Sequence, residues 1–228
     1  MTLNPQSRKS QLFKAELRKH YKNHYYKKWG QVHHSETQEE LVLYEALEPS
    51  DLGPLWVRPK EMFEESLLVD GVTRARFAKV VPVIEHLYEM TDAHKIEASS
   101  LLSEVFGDGY SIDDLKKKIS GKDIHYSRCW LEGAFVGFKL GYREDSTTFY
   151  SALGAVAPAS EGLGLGRLLL EEQHTALQAA GYKRVTTKTK NKWARMLVLN
   201  IRCGFQVTGT ETRSNGEIKI CMEKALSS

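Results

Sequence analysis

Residues 156–167 read Val-Ala-Pro-Ala-Ser-Glu-Gly-Leu-Gly-Leu-Gly-Arg. Gly162, Gly164 and Gly166 alternate there with other residues, so backbone can meet a ligand without Cβ atoms in the way. A stretch with helical spacing follows, and the loop therefore opens a helix whose first N–H groups lack partners. Such an end attracts anions through its free donors and its dipole. Diphosphate binding is the chemistry this invites; tight strand-to-helix packing is the other use of the same glycines. Two phosphate motifs are excluded. A dinucleotide pattern GxGxxG fails because Gly162 and Gly164 lead to Arg167, while Gly164 and Gly166 lead to Leu169. No acidic residue lies between Glu172 and Glu211 to hold a ribose. A nucleotide P-loop needs Gly-Lys-Ser/Thr, and the chain has Gly-Arg-Leu.

Downstream, Lys183, Arg184, Lys188, Lys190, Lys192, Arg195 and Arg202 make the region basic. That suits a polyanionic ligand, and equally a helix face in water. His33-His34 could begin a metal site, but no third ligand stands at useful spacing, so no metal is expected.

The glycine loop needs a strand before it and a helix after it, and the pattern supplies both. Strands are predicted at 81–90, 124–131, 134–142, 148–157, 183–189, 205–209 and 218–223. Thr91-Asp92 reads as the cap of one helix, broken at Gly107-Asp108-Gly109, and Ser111 caps another over 113–119. Longer helices are predicted at 164–180 and 192–203, stopped by Gly181 and Gly204. Glu132-Gly133 joins two strands as a hairpin. The order β-α-α-β-β-β-α-β-α-β-β describes a mixed α/β (α+β) domain over residues 80–228.

The first part of the chain has another grammar. Residues 20–34 read as a hairpin turning near Asn23, Leu41 to Tyr44 as a strand, and Leu55-Trp56-Val57 as a short one. Lys60 to Phe63 allow one helical turn. Short strands between turn signals predict a small β-barrel. Arg8, Lys9, Lys14, Arg18, Lys19, Lys22, Lys27 and Lys28 face only Glu16 across the first thirty residues, with Tyr21, Tyr25, Tyr26 and Trp29 among them. Basic and aromatic residues together suit single-stranded nucleic acid. A strand pair with rings packed inward and lysines in water is the preferred reading. Three segments are thus expected: a basic stretch at 1–17, a β-rich domain at 18–77 and the α/β domain.

Composition bounds the rest. The 228 residues exceed the roughly 100–200 of one domain, and 41% apolar with 27% charged residues is a globular balance. No run approaches the roughly 18 apolar residues of a membrane span, and neither a signal-peptide core nor a lipid-anchor motif is present. Cys129, Cys203 and Cys221 are too far apart for a CxxC pair, which fits reduced thiols. A net charge of +3 does not by itself call for nucleic acid. A soluble, cytoplasmic protein is expected.

Two resemblances sharpen this reading. The HSET turn at residues 34–37, Leu41-Val42-Leu43-Tyr44-Glu45-Ala46-Leu47 and Trp56-Val57-Arg58-Pro59-Lys60-Glu61-Met62-Phe63 resemble a small bacterial domain family of unknown function. Arg58, Met62 and Phe63 there either line a pocket or serve the core. From Val80 to Leu226 the chain resembles the GCN5-related N-acetyltransferase (GNAT) superfamily. Val156 and Pro158, then Glu161-Gly162-Leu163-Gly164-Leu165-Gly166, match its acyl-CoA loop. Asn191 and Ala194, followed by Cys203-Gly204-Phe205, match its next helix and turn.

The GNAT resemblance implies acetyl-CoA as cofactor and an amine of a small molecule or polypeptide as acceptor. It implies no membrane and leaves room for a homodimer. Two parallel strands, ending near Ala157 and Thr189, would splay around the pantetheine. Ala155 and Val156 would offer backbone to the thioester, and Glu161, Gly162, Leu163, Gly164, Leu165, Gly166 and Arg167 would cradle the diphosphate. Asn191 and Ala194 would contact the cofactor at the next helix start. Two departures stand out. Glu161 occupies a position where the family has Gln or Arg. Asn200 stands five residues before Phe205, where the family often has a tyrosine that protonates the leaving thiolate. Asn200 can still donate a hydrogen bond there, and Tyr150 could orient a water that removes the amine proton. The expected function is N-acetyl transfer; the alternative is an acyl-CoA-binding module without turnover, its N-terminal domain contacting a partner.

Overall fold

The computed structural model describes residues 15–107 and 110–226. Residues 1–14 of the expected basic stretch, and Asp108 and Gly109 of the expected break, lie outside them. The chain divides into two units, Met1–Val81 and Pro82–Ser228.

In the first unit, β1 (Glu16–His20) turns through Asn23, at φ 69°, into β2 (Tyr25–His33). β3 (Glu40–Ala46), β4 (Leu55–Pro59), the one-turn helix α1 (Lys60–Glu64), β5 (Ser66–Val69), β6 (Val72–Ala75) and β7 (Phe77–Lys79) follow. Five strands form an antiparallel sheet in the order β4-β3-β2-β1-β7, and β5-β6 form a separate hairpin around Asp70-Gly71. The expected barrel is corrected to an open sheet: β4 and β7 are its edges, and no pairing among the described residues joins them. The physical reason is α1. Its buried Phe63 stacks on Phe77 at 4.2 Å and joins Val42 and Tyr44, so a helix covers the apolar face that closure would otherwise hide. Met62 is 43% exposed, and the Arg58 guanidinium lies 5.9 Å from the Phe77 ring centre.

The second unit runs β8 (Val83–Leu87), α2 (Asp92–Phe106), α3 (Ile112–Ile119), β9 (Ile124–Leu131), β10 (Ala134–Arg143), β11 (Thr148–Val156), α4 (Leu165–Ala179), β12 (Arg184–Thr189), α5 (Ala194–Arg202), β13 (Gln206–Thr212) and β14 (Ile218–Ala225). Local chemistry explains the boundaries. Thr91 and Ser111 both form capping boxes, with His94 and Asp114. Glu132 and Gly133 both take positive φ, as a two-residue hairpin turn requires. Two expectations shift. The strand predicted over 81–90 shortens to β8, because Pro82 has no N–H for a ladder. The helix predicted from Lys192 begins as a 3-10 turn at Asn191–Trp193, closed by Trp193 N–H on the Lys190 carbonyl at 2.9 Å, before α5 starts.

Seven strands pair in the order β13-β14-β12-β11-β10-β9-β8, and only β11 and β12 are parallel. Alternation along the strands sends side chains to two cores. Tyr126, Phe138, Leu140 and Leu153 pack with Leu101 and Leu102 of α2. Phe149, Val185 and Met222 pack with Leu170 and Leu177 of α4. Among the described residues no helix is long and apolar enough to cross a membrane.

Candidate functional site

The parallel pair is short. Thr148, Phe149 and Tyr150 pair with Arg184, Val185 and Thr186, and there the ladder ends. Beyond that point β11 stays with β10 as far as Val156, and β12 stays with β14 as far as Thr189. The two strands therefore part company in mid-sheet. Thr187 Oγ1 donates to the Ser151 carbonyl at 2.8 Å, closing the apex of the gap. Ala157 N–H donates to Val136 on β10 at 2.8 Å. Successive N–H groups of a strand point to opposite edges, so that of Val156 points toward the opened β12 side.

α4 begins at the mouth of this gap. Its N-cap is Gly164 at φ 85°, and Gly162 lies at φ 79°; a Cβ at either would meet nothing within 4 Å. Both conformations belong to glycine, and both leave bare backbone beside open space. The result is a cleft of about 910 Å³. Of the sequence-predicted residues, Tyr150, Ala155, Val156, Glu161, Gly162, Gly164, Leu165, Gly166, Arg167, Ala194 and Asn200 line it together. Leu163 and Asn191 do not. Leu163 is half-buried away from the wall, and Asn191 is exposed at the start of the 3-10 turn.

Charge along the wall is mostly positive. Glu161 is held by Arg195 at 2.7 Å and Arg167 by Glu171 at 2.7 Å. Lys188 pairs with Glu211, and Lys190 with Glu217 at 2.5 Å. Lys118 and Lys219 form no ion pair among the described residues; burial first, and neighbouring cations second, hold both below the ordinary lysine range, with Glu217 and Glu211 pulling Lys219 partly back. Tyr150 is a neutral phenol at physiological pH. Burial, then the Tyr142 ring 5.3 Å away and nearby acids, push it up to about 12.

Asn200 is 3% exposed, and among the described residues its Nδ2 has only a long contact of 3.8 Å with Met222 Sδ. A second group in the same wall was not legible in the sequence. Lys139, in mid-β10, is 8% exposed, with no carboxylate or hydrogen-bond partner among the described residues. It pairs across the sheet with Gly154, and a Cβ there would lie 2.9 Å from Lys139 Cδ. The missing side chain makes room for the lysine. Burial pulls its ammonium down to about 8. The one sequence signal was a charge in the interior of a strand whose other charge, Arg143, stands at its end.

Below the cleft, His174 Nδ1 accepts from Lys224 Nζ at 2.9 Å, and burial with that cation lowers the imidazole to about 3. His125, whose ring nitrogens have no hydrogen-bond partner among the described residues, is lowered by burial to about 4. Both folded values lie below the unfolded one of about 6.5, so the unfolded chain binds more protons as acid is added. Stability should be full above about pH 6.5 and fall toward pH 4, by up to about 1.4 kcal/mol per pH unit for each histidine. Urea midpoints measured against pH check this, and His125→Phe should flatten part of the slope. An unchanged slope would remove His125 from the account.

Comparison with known proteins completes the picture. Residues 17–79 match the family described as Protein of unknown function (DUF1653). No curated protein sequence matches the chain. The second unit has the GNAT acetyltransferase fold. It is similar to the ribosomal-protein-S18-alanine N-acetyltransferase of Escherichia coli, at 18% identity and TM-score 0.57 over 65% of this chain and 96% of that one. A Desulfovibrio desulfuricans protein described as a GNAT-family acetyltransferase aligns at 16% identity and TM-score 0.55, over 64% and 100% of the two chains. An aminoglycoside 6'-N-acetyltransferase complexed with coenzyme A aligns at 12% identity and TM-score 0.53, over 64% and 98%. At these identities the likeness is one of fold.

Proposed function

We propose that the second unit transfers an acetyl group from acetyl-CoA to a primary amine. The observation that carries this reading is the parting of β11 from β12 with a bare, glycine-lined helix start at its mouth. Acetyl-CoA would supply an activated acyl carbon and a thiol leaving group. The residues present fit it: Gly162 and Gly164 leave bare backbone beside open space at a helix start, and Arg167, Lys190, Lys192 and Arg195 line the same cleft. Backbone N–H groups of Gly164, Leu165, Gly166 and Arg167 would hold the diphosphate, with Leu163 shaping the turn from behind. Ala155 and Val156 would present backbone to the thioester, and the Val156 N–H would stabilise its oxyanion. Ala194 would close the other side, with Asn191 fixing the turn before it.

Asn200 would donate from Nδ2 to the departing sulfur. Lys139, in the same wall, can also give up a proton, which an amide cannot. Tyr150, a phenol, would orient the water that accepts the amine proton. Asn200→Ala should slow turnover about ten- to a hundredfold, or roughly 1.4 to 2.7 kcal/mol of transition-state stabilisation. Single-turnover rates with a confirmed acceptor check this, and a wild-type rate would remove Asn200 from the chemistry. Asn200→Tyr should recover turnover.

A second reading has one observation in its favour, the amide at position 200. In it the cleft holds acyl-CoA without turnover, and the DUF1653 domain contacts a partner. Thiol release from acetyl-CoA over a panel of amines separates the two. Amine-dependent release with an acetylated product supports transfer. Tight coenzyme A binding with no amine consumed supports the module, and absence of binding sinks both.

A further inference from the structure

Where β11 and β12 are still paired, a second concavity of about 210 Å³ adjoins the cleft. The two share Lys118, Tyr150, Lys188 and Lys219, so whatever occupies the small pocket lies beside Tyr150 and against the open end of the cleft. Its charged lining is Lys118, Lys188, Arg213 and Lys219 against Glu144 and Glu211. Lys188 and Glu211 neutralise each other in an ion pair. Glu144 accepts from Thr186 Oγ1 at 2.9 Å. Lys118, Arg213 and Lys219 form no ion pair among the described residues, although Glu211 and Glu217 attract Arg213 and Lys219 from farther off.

Four cations thus face two carboxylates in a pocket made by four separate parts of the fold: α3, the end of β10, the β11–β12 floor and the β13–β14 hairpin. Like charges in excess of their counter-ions repel, and an anion from outside relieves that repulsion. Burial and mutual repulsion hold Lys118 and Lys219 below the ordinary lysine range, which agrees with that geometry. Charge complementarity disfavours a cationic acceptor such as a polyamine, since its extra ammonium groups would face the same excess of cations.

We infer that this pocket selects the acceptor: a small amine carrying a carboxylate or phosphate a few bonds from its nitrogen. The inference rests on the acetyl-transfer reading. The oxyanion would sit among Lys118, Arg213 and Lys219, and Glu144, the one carboxylate left over, would attract the amine end. The amine nitrogen then forms its bond to the acetyl carbon as the carbon–sulfur bond breaks. The sulfur keeps the electron pair and takes a proton, while the nitrogen sheds one to water.

The test uses the full chain with acetyl-CoA and matched acceptors: an amino acid against its amide, and O-phosphoethanolamine against ethanolamine. The anionic member of at least one pair should have a kcat/KM about tenfold or more higher, and which pair responds tells carboxylate from phosphate. Arg213→Gln is the sharpest variant, because Arg213 lines the small pocket and not the cleft. It should raise KM for the anionic acceptor about three- to tenfold, leave coenzyme A affinity unchanged and shrink the preference over the neutral partner. Equal use of the paired amines, preference for polyamines, or an unaltered preference in Arg213→Gln would overturn the inference. Direct binding supplies a readout without turnover. An N-acetyl amino acid should raise the melting temperature of the coenzyme A-loaded protein, its amide should not, and Arg213→Gln should abolish the difference. If no amine is acetylated, the transfer reading fails separately; anion binding lost in Arg213→Gln still upholds the pocket, and its absence overturns it.

Discussion

Coenzyme A affinity should fall about a hundredfold in Gly166→Val, equivalent to about 2.7 kcal/mol, with little change in melting temperature. Gly166 is the second residue of α4 and has an ordinary helical conformation. A Cβ there would sit 3.4 Å from Leu199 Cδ2 and 3.9 Å from Val156 Cγ2. Backbone therefore tolerates the substitution, and valine is the better helix former. Its methyl groups, however, would stand between Val156 and Leu199 in the wall of the cleft, over N–H groups that must reach a diphosphate. Gly164→Val is a less clean experiment. At φ 85° a branched side chain is strained whatever space surrounds it, so lost affinity would come with lost stability. The pair of variants separates the two causes. Calorimetric titration with coenzyme A, beside a thermal melt, reads both. Unchanged affinity in a folded Gly166→Val would refute the phosphate cradle.

Turnover should drop about a hundredfold in Lys139→Met while the protein becomes more stable. A buried ammonium with no counter-ion is costly. Its folded value of about 8, against an ordinary lysine near 10.5, amounts to about 3 kcal/mol at neutral pH. The sign follows from proton counting. Between about pH 8 and 10.5 the unfolded chain holds the proton that the folded one has lost, so stability climbs with pH across that window. Methionine fills similar space without a charge to desolvate, and the melting temperature should rise. The cost falls on chemistry, because a proton donor whose acidity is close to that of a thiol suits a departing sulfur. Wild-type kcat should decline above about pH 8 as the ammonium is lost, and that limb should vanish in Lys139→Met. Lys139→Arg keeps the charge but holds its proton, so it should restore neither rate nor limb. A Lys139→Met protein that keeps the wild-type rate and pH profile would leave the lysine a packing role alone.

Sequence alone determines whatever is decided within a few residues along the chain. Thr91 and Ser111 cap helices through bonds three residues away. Glu132-Gly133 turns a hairpin in two residues, and Gly162 and Gly164 take conformations that their own lack of a Cβ permits. The strand–loop–helix around them, its order among the other elements and the anion-seeking helix start were therefore visible as words in the sequence. Other features belong to free energies shared between distant segments. Whether the N-terminal strands close into a barrel or stay open depended on Phe63 finding Phe77. That Leu163 and Asn191 turn from the cleft while their neighbours line it depended on where α4 and the 3-10 turn settle. Lys139 reads in sequence as one more lysine; only its register against Gly154 buries it. Lys118 and Arg213 stand almost a hundred residues apart in the numbering, and no local pattern could have shown an excess of cations meeting beside Tyr150. Hydrogen bonds and caps are local and legible, whereas burial and the crowding of charge are properties of the packed whole.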